Sequence, residues 1–369
     1  MNWPQFDGFN LKETAILITL AGSRSYGTDH PLSDYDYKGI VIPPRDWLLS
    51  PYKNFEQTGW KVEADEEEGT LFSLEKFMKL AADCNPNVIE TLYADPAHIQ
   101  LVTDRGERLL EHRDLFLSKR AVPRFVGYGM SQLKRIQNHK RWLDNPPKAK
   151  PTREDFGLPP LPQIADNQLN AVDSFVRRNL NQLAPWLLER RNEEREDFWE
   201  SFVKVLALVT SDYHFNPVTD TWHQVEETVA DIVAEKLSFD DNFVEYLKQE
   251  RKLGQALHDW DSYQSWLRNR NPARAELEAR YGYDCKHAMH LVRLLRMGAE
   301  LTERAEINVF RPDREELIEI RNGSWKYEDL IDWAKTEQER IYDLSRSPEC
   351  PLPRNPPQDK LEALYMELV

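Results

Sequence analysis

Cysteine and long apolar runs are both scarce in this chain of 369 residues. The three cysteines, Cys84, Cys285 and Cys350, are odd in number and far apart. They match neither a disulfide framework nor a cysteine-rich zinc site, so a reducing, cytoplasmic location is the expectation. No apolar stretch approaches the ~20 residues that span a bilayer, and mean hydropathy is −0.68. No membrane partner is expected. The opening segment MNWPQFDGFN has neither the basic start nor the apolar stretch of a secretion signal. A net charge of −15 argues against a protein that coats nucleic acid non-specifically, although a local basic groove stays open. What is present is a 40% hydrophobic fraction, enough for a substantial core and two domains.

Residues 15–20 (AILITL) read as a buried strand running into Gly22. A second strand is expected at 35–42, closed by Pro43-Pro44, and a third at 70–72 after the acidic run Glu63, Asp65, Glu66, Glu67 and Glu68. Residues 74–82 have helical spacing, with Leu74, Phe77, Met78 and Ala81 on one side. Asn85-Pro86 interrupts, and 88–93 resumes. From about 118 the pattern turns helical: 125–143, 167–191, 198–210, 222–237, 243–267, 272–297, 314–321 and 327–344. A proline-rich loop falls at 145–162 and a β-like turn at 307–312. Trp186, Trp199, Trp222, Trp260 and Trp266 read most simply as core. The pattern fits an α+β fold: a compact α+β domain over 1–118, a mainly helical domain over 119–346, and a proline-rich tail over 347–369 lying on the surface.

Asp34 and Asp36 flank one tyrosine in SDYDYKG. Side chains on a strand repeat every two residues, so the two carboxylates share a face. They repel unless a hard cation sits between them. Mg²⁺ (or Mn²⁺) suits that place, because it takes oxygen ligands and completes its shell with water and substrate phosphates. Upstream, Gly22 lets backbone approach a ligand closely. A helix starting at Ser23 and Arg24 would turn free N–H groups toward a triphosphate, with the Ser23 hydroxyl and Arg24 guanidinium as further donors. A D-x-D pair alone is usually a turn. Joined to Gly22-Ser23 and to flanking strands it points to a metal-dependent phosphoryl or nucleotidyl transferase.

The segments GSRSYG and SDYDYKGIVIPP resemble the DNA-polymerase-β-like nucleotidyltransferase superfamily. More narrowly, they are similar to the nucleotidyltransferases grouped with RNA-repair-pathway proteins of bacteria and phages. GTLFSLEKFMKL, NPNVIETLY, YGMSQLKRIQNH and YDCKHAMHLVRLLRMG extend the resemblance in the same order along the chain. It implies that the 1–118 domain is catalytic and built on a small mixed sheet, with two metal ions held by three carboxylates and an NTP substrate. Asp34 and Asp36 correspond to the first two acids. The third falls at Glu68, with Glu67 as its rival, and a one-residue slip would turn the side chain to the wrong face. It would act as base toward the acceptor hydroxyl, while metal clamping assists departure of pyrophosphate.

A second cationic cluster lies at 285–296. Lys286, His290 and Arg293 share a helical face, with His287 close by. In the resembling family this segment belongs to the helical part closing over the cleft, which makes all four nucleotide-binding candidates. The two histidines lack a cysteine or third histidine at zinc-site spacing. Glu90 reads as a helix-face glutamate paired with a lysine. Between Lys119 and Arg153, ten Lys or Arg residues face one acid, Asp144, with Tyr128, His139 and Trp142 interleaved. This stretch is the candidate groove for RNA or tRNA. The function expected is NMP transfer from an NTP to an RNA 3′ end. The alternatives are a protein-modifying (AMPylating-type) enzyme of a toxin–antitoxin kind, and a non-catalytic RNA-binding protein on the same fold.

Overall fold

The computed structural model describes residues 3–4, 6–31, 33–62, 67–162, 241–270 and 272–369. The helices expected at 167–191, 198–210 and 222–237 lie outside these residues, with Trp186, Trp199 and Trp222. Glu63, Asp65 and Glu66 of the acidic run do as well.

Five strands form one mixed sheet: β1 (Ala15–Ala21), β2 (Tyr35–Val41), β3 (Gln57–Val62), β4 (Glu67–Ser73) and β5 (Ile99–Val102). Their spatial order is β3-β4-β2-β1-β5. β2 and β4 run parallel, and the other neighbouring pairs are antiparallel. β1 and β2 bury most of their apolar side chains, which is why both were legible as hydrophobic segments. β3 and β5 were not foreseen. Both are edge strands with one side only half-covered, so their apolar patterns are short and broken.

One face of the sheet is covered by the Leu74–Ala82 helix, which buries Leu74, Phe77, Met78 and Ala81 as its spacing predicts. Ser73 caps that helix by accepting a hydrogen bond from the Lys76 amide. On the other face Phe6, Phe9, Trp47 and Phe55 meet edge-to-face above the core residues Ile18, Val41 and Leu71.

The chain divides into two units, residues 1–146 with 270–369, and residues 147–269. In the first, the Ala121–Asp144 helix packs along the Cys285–Arg304 helix, which also carries Arg314–Arg321 and Tyr327–Arg346. The sheet and these helices therefore share one unit, and the boundary expected near residue 118 falls inside it. The second unit contains the Asp241–Asn269 helix and a loop in which Arg153 ion-pairs with Glu250. Trp260 and Trp266 are only half-buried there, each beside Tyr263, rather than core.

Two sequence expectations are corrected. The helix foreseen over 272–297 is two helices, Pro272–Tyr281 and Cys285–Arg304. Gly282 takes a left-handed φ of 79° after the first, and Asp284 caps the second. Residues 307–312 interrupt the helices as a non-helical turn, and the Arg311 amide donates to the Tyr26 carbonyl at 3.1 Å, tying this stretch to the turn after β1. The tail does not lie loosely on the surface. Its Gln358–Leu368 helix buries Leu361, Leu364 and Leu368 in the same core as Phe77 and Leu109, and Glu367 pairs with Arg108 at 2.6 Å. Among the described residues no helix is long and apolar enough to cross a membrane.

Candidate active site

β1 ends where the chain must turn sharply, and Gly22 makes that turn with φ 65°. Left-handed backbone costs an L-residue roughly 1–2 kcal/mol. Space is the stricter limit: a Cβ here would stand 2.0 Å from Asp36 Oδ2. Ala21 pairs with Asp36 across β1 and β2, and Asp36 pairs with Glu68 across β2 and β4. Asp36 is thus held between the glycine turn and a second carboxylate. The register decides between the two glutamates, because Glu67 is opposite Tyr35 rather than Asp36. Glu67 works on the other face, where burial and then the Glu67 charge raise the Tyr37 pKa.

The electrostatics record this crowding. Asp36 is pushed up to about 6, first by burial, then by the hydrogen bond to Glu68 and by the charges of Glu68 and Asp34. Asp34 lies just before β2 and is exposed. The three acids do not close into one tight set. Among the described residues, the group of His, Cys, Asp or Glu whose ligand atoms all lie within 4.8 Å of one another is His139, Asp284 and His287. Asp36 and Glu68 open onto a cleft of about 630 Å³, which Gly22, Lys38, Trp60, Lys61 and Asn87 also line. Two facing carboxylates with room for phosphates beside them fit a hard divalent ion.

The Gly22–Tyr26 helix is a single turn of five residues. Ser23 is half-buried at its start, and its carbonyl accepts from the Thr28 amide at 3.0 Å. Arg24 is turned onto the loop before β2. Its guanidinium donates to the Ser33 carbonyl at 2.5 Å and the Asp34 carbonyl at 3.2 Å, and stacks 3.8 Å over the Tyr35 ring. Arg24 thereby fixes the backbone that presents Asp34 and Asp36.

Behind the carboxylates lies a buried polar cluster. Tyr26 donates to Glu90 Oε2 at 2.7 Å, Arg293 Nη1 reaches Glu90 Oε1 at 2.6 Å, and the guanidinium lies 3.7 Å over the Tyr26 ring. Glu90 and Arg293 side chains are 6% and 3% exposed. Lys38, on the Asp36 face of β2, donates to the Asn87 carbonyl. Burial chiefly lowers its pKa, and the Arg293 charge adds to that against the pull of Glu90 and Asp36.

Residues 10–146 match the family described as the RNA repair pathway DNA polymerase beta family. The matched span contains Gly22, Asp34, Asp36 and Glu68. Over this span the chain is similar to that polymerase-β-like nucleotidyltransferase family. An uncharacterized 38.9 kDa protein of the nrdC-mobD intergenic region of Enterobacteria phage T4 is 41% identical over 87 residues. That stretch is 22% of this chain and 26% of the phage protein, so the chain spans about a quarter of that relative's length. No solved structure matches.

Within this nucleotidyltransferase fold the cationic helix does not act as one wall. Arg293 points into the buried Glu90 cluster. Glu90 itself pairs with an arginine and a tyrosine rather than with a lysine. His287 turns to the Ala121–Asp144 helix, with Nδ1 2.8 Å from Gln132 Oε1. Lys286 and His290 are half-buried. In the basic stretch, Arg124 pairs with Asp83, Lys140 with Asp144 at 3.0 Å, and Lys119 Nζ donates to the Ser345 carbonyl at 2.7 Å. Trp142 is buried, Tyr128 packs against the core, and His139 faces Asp284, so these rings are not set out for stacking on bases. Lys134 and Arg135 remain exposed on the helix. Sequence reasoning missed Lys38 and Tyr26. The first was signalled by the period of two after Asp36, the second only by its place directly after GSRS.

Proposed function

We propose that this chain is a metal-dependent nucleotidyltransferase that moves NMP from an NTP to a hydroxyl, most favourably an RNA 3′ end. The observation that carries the reading is the parallel register setting Glu68 beside Asp36, against a turn that only glycine can make. Asp36 and Glu68, with Asp34 exposed just before β2, would hold Mg²⁺ or Mn²⁺. Such an ion, when bound, neutralises phosphate charge and eases ionisation of the acceptor hydroxyl. The acceptor oxygen attacks the α-phosphorus, the bond from that phosphorus to the β-phosphate bridge breaks, and pyrophosphate leaves. Glu68, the more exposed of the two facing acids, is suited to take the acceptor proton. Gly22 borders the space where phosphates would lie, with Ser23 next to it in the chain, and Lys38 and Lys61 line the same cleft.

The RNA acceptor is supported by the RNA-repair description of the matching family and by Lys134 and Arg135 on an exposed helical face. The test offers each of four α-labelled NTPs with Mg²⁺ or Mn²⁺, once with total RNA and once with lysate protein. Label at RNA 3′ ends is expected. Label in protein would reassign the acceptor. No transfer in either arm, with RNA binding untouched by Asp34→Ala and Asp36→Ala together, would leave a binding protein instead.

A further inference from the structure

Away from the acidic cleft, two helices that are distant in sequence bring two imidazoles to one carboxylate oxygen. His139, near the end of the Ala121–Asp144 helix, places Nδ1 3.6 Å from Asp284 Oδ2. His287, in the first turn of the Cys285–Arg304 helix, places Nε2 3.6 Å from the same oxygen. These separations exceed a hydrogen bond of about 2.7–3.2 Å. They match the edge of a tetrahedron around a metal with ligand bonds of about 2.0–2.2 Å, for which neighbouring ligand atoms stand about 3.3–3.6 Å apart. Side-chain exposures are 16%, 12% and 3% for His139, His287 and Asp284, so the group is nearly enclosed.

The surroundings orient all three. Asp284 Oδ1 caps the helix by accepting from the His287 amide at 3.0 Å, which turns Oδ2 toward both rings. His287 Nδ1 meets the buried amide oxygen of Gln132 at 2.8 Å, fixing the proton on Nδ1 and presenting the Nε2 lone pair to Asp284. A histidine tied through one ring nitrogen, with the other facing a carboxylate, is the arrangement metal-binding histidines use. Glu278 adds a second carboxylate: its Oε2 is paired with Arg270 at 2.8 Å, and its Oε1 stands 3.6 Å from His139 Nδ1.

We propose that His139, Asp284 and His287 form a site for a divalent transition metal of the zinc class, separate from the Mg²⁺ or Mn²⁺ cleft. Two imidazole nitrogens with one carboxylate suit Zn²⁺ or Co²⁺ far better than Mg²⁺, which favours oxygen ligands. A fourth position is left for water or for Glu278. The ion clamps the Ala121–Asp144 helix to the start of the Cys285–Arg304 helix, at the seam the sequence leaves weakest, after Gly282. Local spacing offers no third ligand beside His287 because His139 lies 145 residues upstream of Asp284, and only the fold brings it near.

The test uses the full chain carrying Asp34→Asn and Asp36→Asn, so that the acidic cleft does not compete. After stripping by chelator, Co²⁺ is titrated and followed by its visible absorption, with Zn²⁺ displacing it. One equivalent with a tetrahedral spectrum is expected. Asp284→Asn keeps the helix cap and should abolish binding, as should His139→Gln, whereas Gln132→Met should weaken it about 10–100-fold. Zn²⁺ should raise the melting temperature of the parent and not of Asp284→Asn. The proposal is overturned if the parent takes up no Co²⁺, or if Asp284→Asn and His139→Gln bind one equivalent as tightly as the parent.

Discussion

Asp36 Oδ2 occupies the space where the Cβ of any residue other than glycine at position 22 would stand, at 2.0 Å. The turn after β1 and the carboxylate on β2 therefore define each other. Gly22→Ala should displace Asp36 as well as strain the backbone. We expect loss of nucleotidyl transfer by at least the factor predicted for removing Asp36 itself, with a stability cost of roughly 1–2 kcal/mol from the left-handed φ alone. Steady-state kinetics beside thermal melting would separate the two. Full activity in Gly22→Ala would mean that the pairing of turn and carboxylate is dispensable.

The two glutamates at the start of β4 should behave oppositely. Glu68→Gln is expected to lower the rate by on the order of 10²–10³, the scale of losing one charge-stabilising group in a site. Glu67→Gln, on the Tyr37 face, should stay within a few-fold of the parent. A reversed ranking in the same assay would put the register to the wrong use.

Asp36 yields a signed pH dependence. Its carboxyl is raised from the usual range to about 6, by burial and then by Glu68 and Asp34. The metal-free fold therefore favours the protonated form. Its contribution is fully present below the unfolded value near 4 and is lost as pH rises through about 6. Parent minus Asp36→Asn stability, read from melting curves, should accordingly fall between pH 4 and 7. Divalent ions compete with that proton, so Mn²⁺ affinity should weaken as pH drops below about 6. A flat difference across this range would contradict the assigned environment.

Glu90 and Arg293 form a buried pair at 2.6 Å. Removing one partner strands a charge, and Arg293→Met should destabilise the fold by about 3–5 kcal/mol. Arg293→Met with Glu90→Gln should recover part of that loss. Denaturant titration of the two variants gives the comparison, and an Arg293→Met protein as stable as the parent would show the pair to be structurally idle.

Leu364 on the last helix sits in the core of the N-terminal sheet unit. Leu364→Ala should cost about 2–5 kcal/mol, an effect that a tail resting loosely on the surface would not produce.

Much of this was legible from residue order. The hydrophobic runs at β1 and β2 and the spacing of Leu74, Phe77, Met78 and Ala81 follow directly from local periodicity. Strand alternation gave Asp36 its face, whereas Glu68 was reached only through the family resemblance, and Asp34 falls just before β2 rather than on it. What stayed hidden depends on tertiary contact. The burial of Arg293 by Glu90 and Tyr26 joins elements about 200 residues apart and leaves no local trace. The docking of Leu361 and Leu368 was masked by the prolines before them, which punctuate the chain without saying where it goes next. The meeting of His139 with His287 is of the same kind. Arg24 is a subtler miss, since a cation after Gly-Ser reads as a phosphate ligand, yet its guanidinium is spent on the backbone of Ser33 and Asp34.

The most direct test of the account is single-turnover transfer of label from α-labelled NTP, with Mn²⁺ and RNA, by the parent chain and by Asp36→Asn. The account predicts pyrophosphate release matched by one labelled nucleotide per RNA end in the parent, and a rate lower by at least a hundredfold in the variant. Equal transfer by both, or none by the parent under any of the four nucleotides, would contradict it.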